Sequence, residues 1–324
     1  MHLLRVADLS ARDVARVLDL SDAFKRHPPR SATLLHGAAV VLYFAKPSTR
    51  TRISFETAIH RLGGVPVTVG PNDLQIGRGE TIEDTARVVS RMSKAFVART
   101  FADDELARFA RAASIPVINA LTDGHHPCQA LADLMTIRER FGRTEGLTMA
   151  YVGAGNNVTH SLMEACALAG MHIRVGTPKQ YLPDPTIVET ARALASRHGV
   201  TVTSTDDPAA AVDGVDVIYT DTWLSMGDPP TEREERIARL SPFQVNAALF
   251  AQAKSTAIFM HCLPAHRGEE VTDEVADSPR SVIFDQAENR LHTSLGVLEM
   301  LVTHSFEGSA SQTVPDPKSA PKAP

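Results

Sequence analysis

Cysteine is scarce: 324 residues contain three, Cys128, Cys166 and Cys262. An odd number that small cannot build a disulfide framework. Long apolar runs are missing as well, since no stretch approaches the roughly 18 consecutive residues that a spanning helix requires. The N-terminal MHLLRVADLSARDVARVL interrupts every short apolar run with Arg or Asp, so the continuous h-region of a signal peptide is absent. There is no basic excess either. A net charge of −5 and a pI near 6.2 argue against a nucleic-acid partner. No internal repeat of fixed period recurs. These absences predict a protein of the reducing cytoplasm, with neither a membrane nor a nucleic acid as partner.

What is present is an alternation of β-branched runs with helical periods, the pattern of an α/β protein with parallel sheets. In the first half the strand candidates are Ala38–Phe44, Val65–Val69, Ala95–Thr100 and Pro116–Leu121. Their near-continuous apolar character suits strands covered on both faces. Phe55, Ile59 and Leu62 mark the buried face of one helix, and Leu134, Ile137 and Phe141 that of another. Gly142-Arg143-Thr144-Glu145-Gly146 then breaks the rhythm and reads as a hinge.

A second series follows, with strands Met149–Val152, His172–Val175, Val200–Ser204, Val215–Thr220, Ala257–His261 and Val282–Phe284. Two of its helices carry Val158, Leu162, Ala165 and Ala169, and Ile187, Ala191 and Leu194, on their buried faces. The expected organisation is two doubly wound parallel-sheet domains, 1–145 and 146–286, joined by helices. A last helix over 287–306 completes the first domain, and a Ser/Pro/Ala/Lys-rich tail over 307–324 is expected to be disordered.

The most informative stretch is Lys46-Pro47-Ser48-Thr49-Arg50-Thr51-Arg52, which follows an apolar strand and opens a helix. It therefore lies at the carboxyl edge of a parallel sheet, where ligands of such folds bind. Ser48 or Thr49 is a natural N-cap, and the N-terminus of a helix holds anions through free N–H groups and its dipole. Cations in the first turn oppose that dipole by roughly 0.3–1 kcal/mol each. Lys46, Arg50 and Arg52 crowd there with no acid before Glu56, a conflict that a bound dianion reverses.

This SerThrArgThrArg element resembles the carbamoyl-phosphate signature of the aspartate/ornithine carbamoyltransferase family. The resemblance implies that Ser48, Thr49, Arg50 and Thr51 hold the phosphate. Asp123-Gly124-His125-His126-Pro127-Cys128-Gln129 opens on the same sheet edge and is similar to the family's HisProxGln element. By that likeness Arg99, His126 and Gln129 contact the carbamoyl group, with Pro127 and Cys128 beside them. An imidazole N–H, a carboxamide and a guanidinium suit a carbonyl oxygen that gains negative charge as an amine attacks.

Gly153-Ala154-Gly155-Asn156-Asn157-Val158 follows a strand but fails as a dinucleotide fingerprint. Its sixth position is Val158, and strand His172–Val175 ends in Gly-Thr-Pro, with no acid for a ribose hydroxyl. In the family this turn touches ornithine, which implicates Asn157 and possible help from Asn156. Asp221-Thr222-Trp223-Leu224-Ser225-Met226-Gly227 resembles the SerMetGly loop that separates the ornithine from the aspartate enzymes. It implies that Asp221 pairs with an α-ammonium while Ser225 and Met226 close over the substrate. His261-Cys262-Leu263-Pro264 resembles the family's HisCysLeuPro element, which implies that Cys262 lies beside the attacking amine and that Cys262 and Leu263 contact carbamoyl phosphate. Whether Cys262 is a base or only an orienting group is open at this level.

Arg290, taken as beginning the last helix, matches the family residue that reaches the carbamoyl phosphate oxygens. Gln75 matches a residue donated into a neighbouring subunit's site, which implies a homotrimer. The implied activity is carbamoyl transfer from carbamoyl phosphate to ornithine, with no organic cofactor and no metal. A zinc hydrolase gathering His125, His126, Cys128, His261, Cys262 and His266 is disfavoured, because neither cluster has a CxxC or a helical i, i+4 His pair.

Overall fold

The computed structural model describes residues 1–28, 33–224, 231 and 233–310, without the side chains of 77 and 305–310. The first half runs α1 (Ala11–Arg26), β1 (Ala39–Phe44), α2 (Thr49–Arg61), β2 (Val65–Val69), α3 (Ile82–Met92), β3 (Phe96–Arg99), α4 (Asp103–Ala112), β4 (Val117–Leu121) and α5 (Pro127–Phe141). The second runs β5 (Thr148–Val152), α6 (Asn157–Leu168), β6 (His172–Gly176), α7 (Pro185–Arg197), β7 (Val202–Thr205), α8 (Pro208–Val212) and β8 (Val217–Thr220). It closes with α9 (Arg233–Leu240), α10 (Ala247–Phe250), β9 (Ile258–His261), α11 (Asp273–Ala276) and α12 (Ile283–Ala310).

The strands form two parallel sheets, of order β2-β1-β3-β4 and β7-β6-β5-β8-β9. This is the α/β class read from the sequence. In each sheet the order reverses once, between β1 and β3 and between β5 and β8. Loops on either side of such a reversal diverge and leave a crevice at the carboxyl ends of the strands. The pairing of β3 with β4 slips between Ala98 and Arg99, and an irregularity of this kind re-aims the side chain beside it.

Helices fill the space between the sheets. α5 packs on β4, α6 packs on β6, and the two helices pack on each other. Pro127 to Ile137 and Val158 to Leu168 are accordingly buried on every side, as a helix without a solvent face requires. α12 packs back on α1, α2 and α5, carrying Gln286, Asn289 and Arg290 into the interior, all at most 2% exposed.

Several expectations are corrected. Val282–Phe284 is not a strand: Ser281 makes an isolated bridge to Phe259 and the helix begins at Ile283. Periodicity cannot separate a short apolar strand from the buried start of a helix. α12 is thus longer than 287–306, Arg290 lies two turns inside it, and it continues through Glu307 to Ala310, where disorder was expected. Residues 311–324 of the expected tail lie outside the described residues. α5 begins at Pro127, with Pro in the first helical turn, where its missing N–H is harmless. β2 is an edge strand with Val65 58% and Val67 40% exposed, so it is not covered on both faces.

Gly296 lies inside α12, where glycine disfavours a helix by about 1 kcal/mol relative to alanine. Its place is explained by close approach. A Cβ there would sit 2.5 Å from Ser21 Oγ and 2.8 Å from the Val17 carbonyl oxygen on α1. Gly296→Ala is therefore predicted to destabilise by about 1–3 kcal/mol, the range for overpacking, despite the better propensity of alanine. An unchanged or raised melting temperature would disprove the close-packing account.

Candidate active site

The loops that leave the strands at their carboxyl ends carry the polar side chains. Ser48 caps α2, its Oγ accepting the Thr51 N–H at 3.3 Å. Arg50, on the first turn of α2, reaches across to the second sheet and donates to the Leu263 carbonyl. Arg52 does not join it. Two residues on a helix differ by about 200°, and Arg52 turns outward to pair with Glu56 at 2.9 Å. Lys46 is likewise committed, to Asp123 at 2.6 Å and to the face of Phe101. Of the three cations that crowd the loop in sequence, the fold therefore brings one, Arg50, towards the second sheet.

Two further guanidinium groups arrive from elsewhere. Arg99 follows the irregularity at the end of β3 and is 6% exposed, with its Nε buried and unpartnered. Arg290 is 2% exposed and donates to Gln129 Oε1 at 2.7 Å and Thr51 Oγ1 at 3.2 Å. Burial, then the repulsion of Arg290 and of Arg50, lowers the Arg99 guanidinium to about 10. The repulsion that both exert on Arg99 reflects three positive charges close together, and among the described residues none of the three forms an ion pair.

His126 caps α5 at the same edge, with its backbone N–H on Ser161 Oγ at 2.8 Å. Its Nδ1 is buried without a partner. Burial, followed by the charges of Arg290, Arg99 and Arg50, holds its pKa well below the usual 6.5. The ring is neutral at physiological pH, so one nitrogen donates and the other accepts. The Cys128 side chain turns into the core, where its thiol donates to the Asn119 carbonyl at 3.3 Å and burial raises it to about 12. Pro127 and Cys128 can therefore serve a ligand only through the backbone at the start of α5.

On the second sheet, Asn156 caps α6 and donates to Asp221 Oδ2 at 2.7 Å. Asn157 donates to the Thr122 carbonyl at 2.8 Å, linking the two sheet edges. Asp221 Oδ1 accepts the Thr222 N–H at 2.8 Å and the Cys262 thiol at 3.0 Å. Burial first, and then the Asp221 carboxylate, push the Cys262 thiol well above its ordinary 9.0. Cys262 is a thiol that donates, not a thiolate. That narrows the alternatives the sequence left open.

Asp221, His261 and Cys262 bring possible metal-ligand atoms within 4.8 Å of one another. His261 is nevertheless spent: Nδ1 accepts the Leu263 N–H at 2.8 Å and Nε2 faces Glu270 Oε1 at 3.0 Å. With both ring nitrogens engaged, the cluster lacks the donor set that a cation needs. Leu263, at φ 58°, turns its carbonyl towards Arg50.

Gln75 is exposed and precedes a short 3₁₀ turn, Ile76–Arg78, and no side-chain hydrogen bond among the described residues joins it to the cluster. Ser225 and Met226 lie outside the described residues. Sequence reasoning also missed Asp133, Gln286 and Tyr219. Gln129 Nε2 donates to Asp133 Oδ1 at 2.8 Å, as does Gln286 Nε2 at 2.7 Å, and Gln286 Nε2 also reaches the Tyr219 hydroxyl at 3.0 Å. The i, i+4 spacing of Gln129 and Asp133 was the one available signal.

Fold and site together define an α/β protein with a cluster of three arginines facing an amide, thiol and carboxylate cluster. Residues 1–139 match the family description "Aspartate/ornithine carbamoyltransferase, carbamoyl-P binding domain", and residues 145–301 match its "Asp/Orn binding domain". The chain is 49% identical over 300 residues to an ornithine carbamoyltransferase of Gloeobacter violaceus, covering 93% of this chain and 95% of that one. It is 46% identical over 310 residues to the enzyme of Bacillus subtilis, covering 96% and 95%. The solved ornithine carbamoyltransferase of Pyrococcus furiosus superposes with a TM-score of 0.89 at 47% identity, over 93% of this chain and 97% of that one. The chain belongs to the aspartate/ornithine carbamoyltransferase family, as an enzyme of its ornithine carbamoyltransferase branch.

Two outcomes are expected. An exposed histidine takes a proton near 6.5, whereas folded His126 resists it, so the unfolded state binds more protons as pH falls below about 6.5. Stability is thus lost on acidification from that point downward. His126→Gln should lose less stability than the parent between pH 6.5 and 5 in denaturant titrations, and parallel losses would refute the assignment. Cys262 should react with iodoacetamide near pH 7 at least about tenfold more slowly than free cysteine, since alkylation needs the thiolate. Fast labelling mapped to Cys262 would contradict the neutral thiol.

Proposed function

We propose that the chain transfers the carbamoyl group of carbamoyl phosphate to the δ-amine of L-ornithine, giving citrulline and phosphate for arginine biosynthesis in the cytoplasm. One observation carries this reading. Three guanidinium groups with no ion-pair partner among the described residues meet at the crevice of the first sheet, facing the loops of the second that hold Asn157, Asp221 and Cys262.

In this reading Ser48, Thr49, Arg50 and Thr51 hold the phosphate at the start of α2, where N–H groups and the helix dipole add to the arginine. Arg290 takes further phosphate oxygens. Arg99 and the neutral His126 ring donate to the carbonyl oxygen as it gains charge, and Gln129 with the backbone of Pro127, Cys128 and Leu263 surrounds the carbamoyl group. Arg50 leaves the Leu263 carbonyl to bind the anion and frees that carbonyl for the carbamoyl NH2.

Ornithine binds opposite. Asp221 pairs with its α-ammonium, Asn157 and Ser225 address its amino-acid end, and Met226 covers it. The neutral δ-amine attacks the carbonyl carbon, an N–C bond forms, and the C–O bond to phosphate breaks. The departing phosphate carries away the proton that the amine sheds, so no thiolate is needed, and Cys262 orients Asp221 as a thiol donor. Catalysis is positioning plus charge stabilisation. The domains, 1–145 with the last helix and 146–286, close about Gly142–Gly146, both glycines at φ 74°. The active assembly is a homotrimer in which Gln75 enters the neighbouring site.

A steady-state assay of citrulline formation with ornithine, beside parallel assays with putrescine and acetylornithine, tests the substrate. Turnover with ornithine alone is expected, because putrescine lacks the carboxylate and an acylated amine cannot pair with Asp221 as a cation. No citrulline from ornithine would end the proposal. Arg50→Ala should lower the rate by about 10²-fold or more, the loss typical of removing one donor to a developing charge. Near-parental turnover would place the phosphate elsewhere.

A further inference from the structure

We propose that Asp133 is a positioning residue that fixes which end of the Gln129 carboxamide faces the pocket, and so makes the site select a carbamoyl over an acyl group. The inference rests on the carbamoyl-transfer reading above and names a determinant of its specificity. Asp133 is fully buried on α5, four residues after Gln129. Its Oδ1 accepts Gln129 Nε2 at 2.8 Å, while Arg290 Nη1 donates to Gln129 Oε1 at 2.7 Å. The reversed amide would set its NH2 against a guanidinium and its oxygen against a carboxyl oxygen. Both neighbours therefore demand one orientation.

The consequence is chemical. Arg290 also donates to Thr51 of the anion loop at 3.2 Å, so Gln129 Oε1 lies on the side of the pocket. A carbonyl oxygen has two lone pairs, and Arg290 uses one. What Gln129 offers a ligand is an acceptor, not the donor that a carbonyl would need. Carbamoyl phosphate presents an NH2 there. Acetyl phosphate, nearly the same in shape, presents a methyl group that cannot satisfy a buried acceptor. Sites built to hydrogen-bond a substrate N–H reject the analogue that lacks it, because their own polar group is left unpaired.

Asp133 is itself held from the other sheet. Gln286 of α12 donates to the same Oδ1 at 2.7 Å and to the Tyr219 hydroxyl at 3.0 Å, and its Oε1 accepts the His261 N–H at 2.9 Å. Oδ2 is buried without a partner. Burial raises the carboxyl to about 7, and a proton carried on Oδ2 leaves Oδ1 an acceptor. The orientation of Gln129 survives on both sides of neutrality.

The test compares KM for carbamoyl phosphate with Ki for acetyl phosphate as its competitor, in the full-length enzyme. In Asp133→Leu the carbamoyl phosphate KM should rise about tenfold, the worth of one hydrogen bond, while the acetyl phosphate Ki stays within about twofold and the preference collapses. Asp133→Asn, which keeps the Oδ1 acceptor, should restore the preference. If Asp133→Leu does not fold, Gln286→Met decides, because it removes the donor that anchors Asp133 and should weaken the preference in the same direction. Equal rises in both constants, or no change in either, would overturn the proposal. A parent enzyme that makes no citrulline would instead overturn the carbamoyl-transfer reading itself.

Discussion

Three like charges, two of them buried and one half-buried, govern this molecule. Arg50, Arg99 and Arg290 converge with no ion-pair partner among the described residues, and burial together with the repulsion of Arg290 and Arg50 depresses the Arg99 guanidinium. An isolated chain would never gather them, since the desolvation of each is unfavourable and their Coulomb terms add to it. The arrangement is held by everything around it: the cap at Ser48, the slipped register after Ala98, and the packing of α12 against α1, α2 and α5. A doubly charged ligand removes the conflict, and its departure restores it. Binding and release of an anion are thus built into the same strain.

The rest of the architecture serves to bring a second set of groups opposite the first. Each sheet reverses its strand order once, and both crevices open along strand ends that α5 and α6 hold together. Parallel sheets place every loop that follows a strand on one edge. Arg99 and His126 therefore share an edge with the anion loop, and Asn156, Asp221 and Cys262 share the corresponding edge of the second sheet. Contacts already span the gap, Arg50 to Leu263 and Asn157 to Thr122. The two halves meet through hydrogen bonds that a ligand can exchange for its own.

Protonation states follow from burial more than from residue type. His126 is held neutral by burial and then by surrounding cations, Cys262 is kept a thiol by burial and by the carboxylate beside it, and burial raises the Asp133 carboxyl to about 7. These shifts turn groups that look like acids and bases in sequence into hydrogen-bond donors and acceptors of fixed sense. In the proposed reaction such groups contribute geometry and field rather than proton transfer through the side chains themselves.

The sequence by itself determined the α/β class, nine of its strands, and the loops that would carry polar groups, because apolar runs, helical periods and capping residues are local signals. It also pointed to the loop from Lys46 to Arg52 as an expected anion site, since cations at a helix start conflict with the dipole. Other features were beyond it. Val282–Phe284 reads as a strand yet opens α12, because a short apolar run has no period of its own. Arg50 and Arg52 look equivalent in line, but helical rotation sends one towards the second sheet and the other to Glu56. Asp133, the partner of Gln129, and Gln286, which donates to the same carboxyl oxygen, are separated along the chain by 153 positions and joined only by packing. Which polar groups meet in the interior is a property of tertiary contact, and tertiary contact alone decided the sense in which each of them bonds.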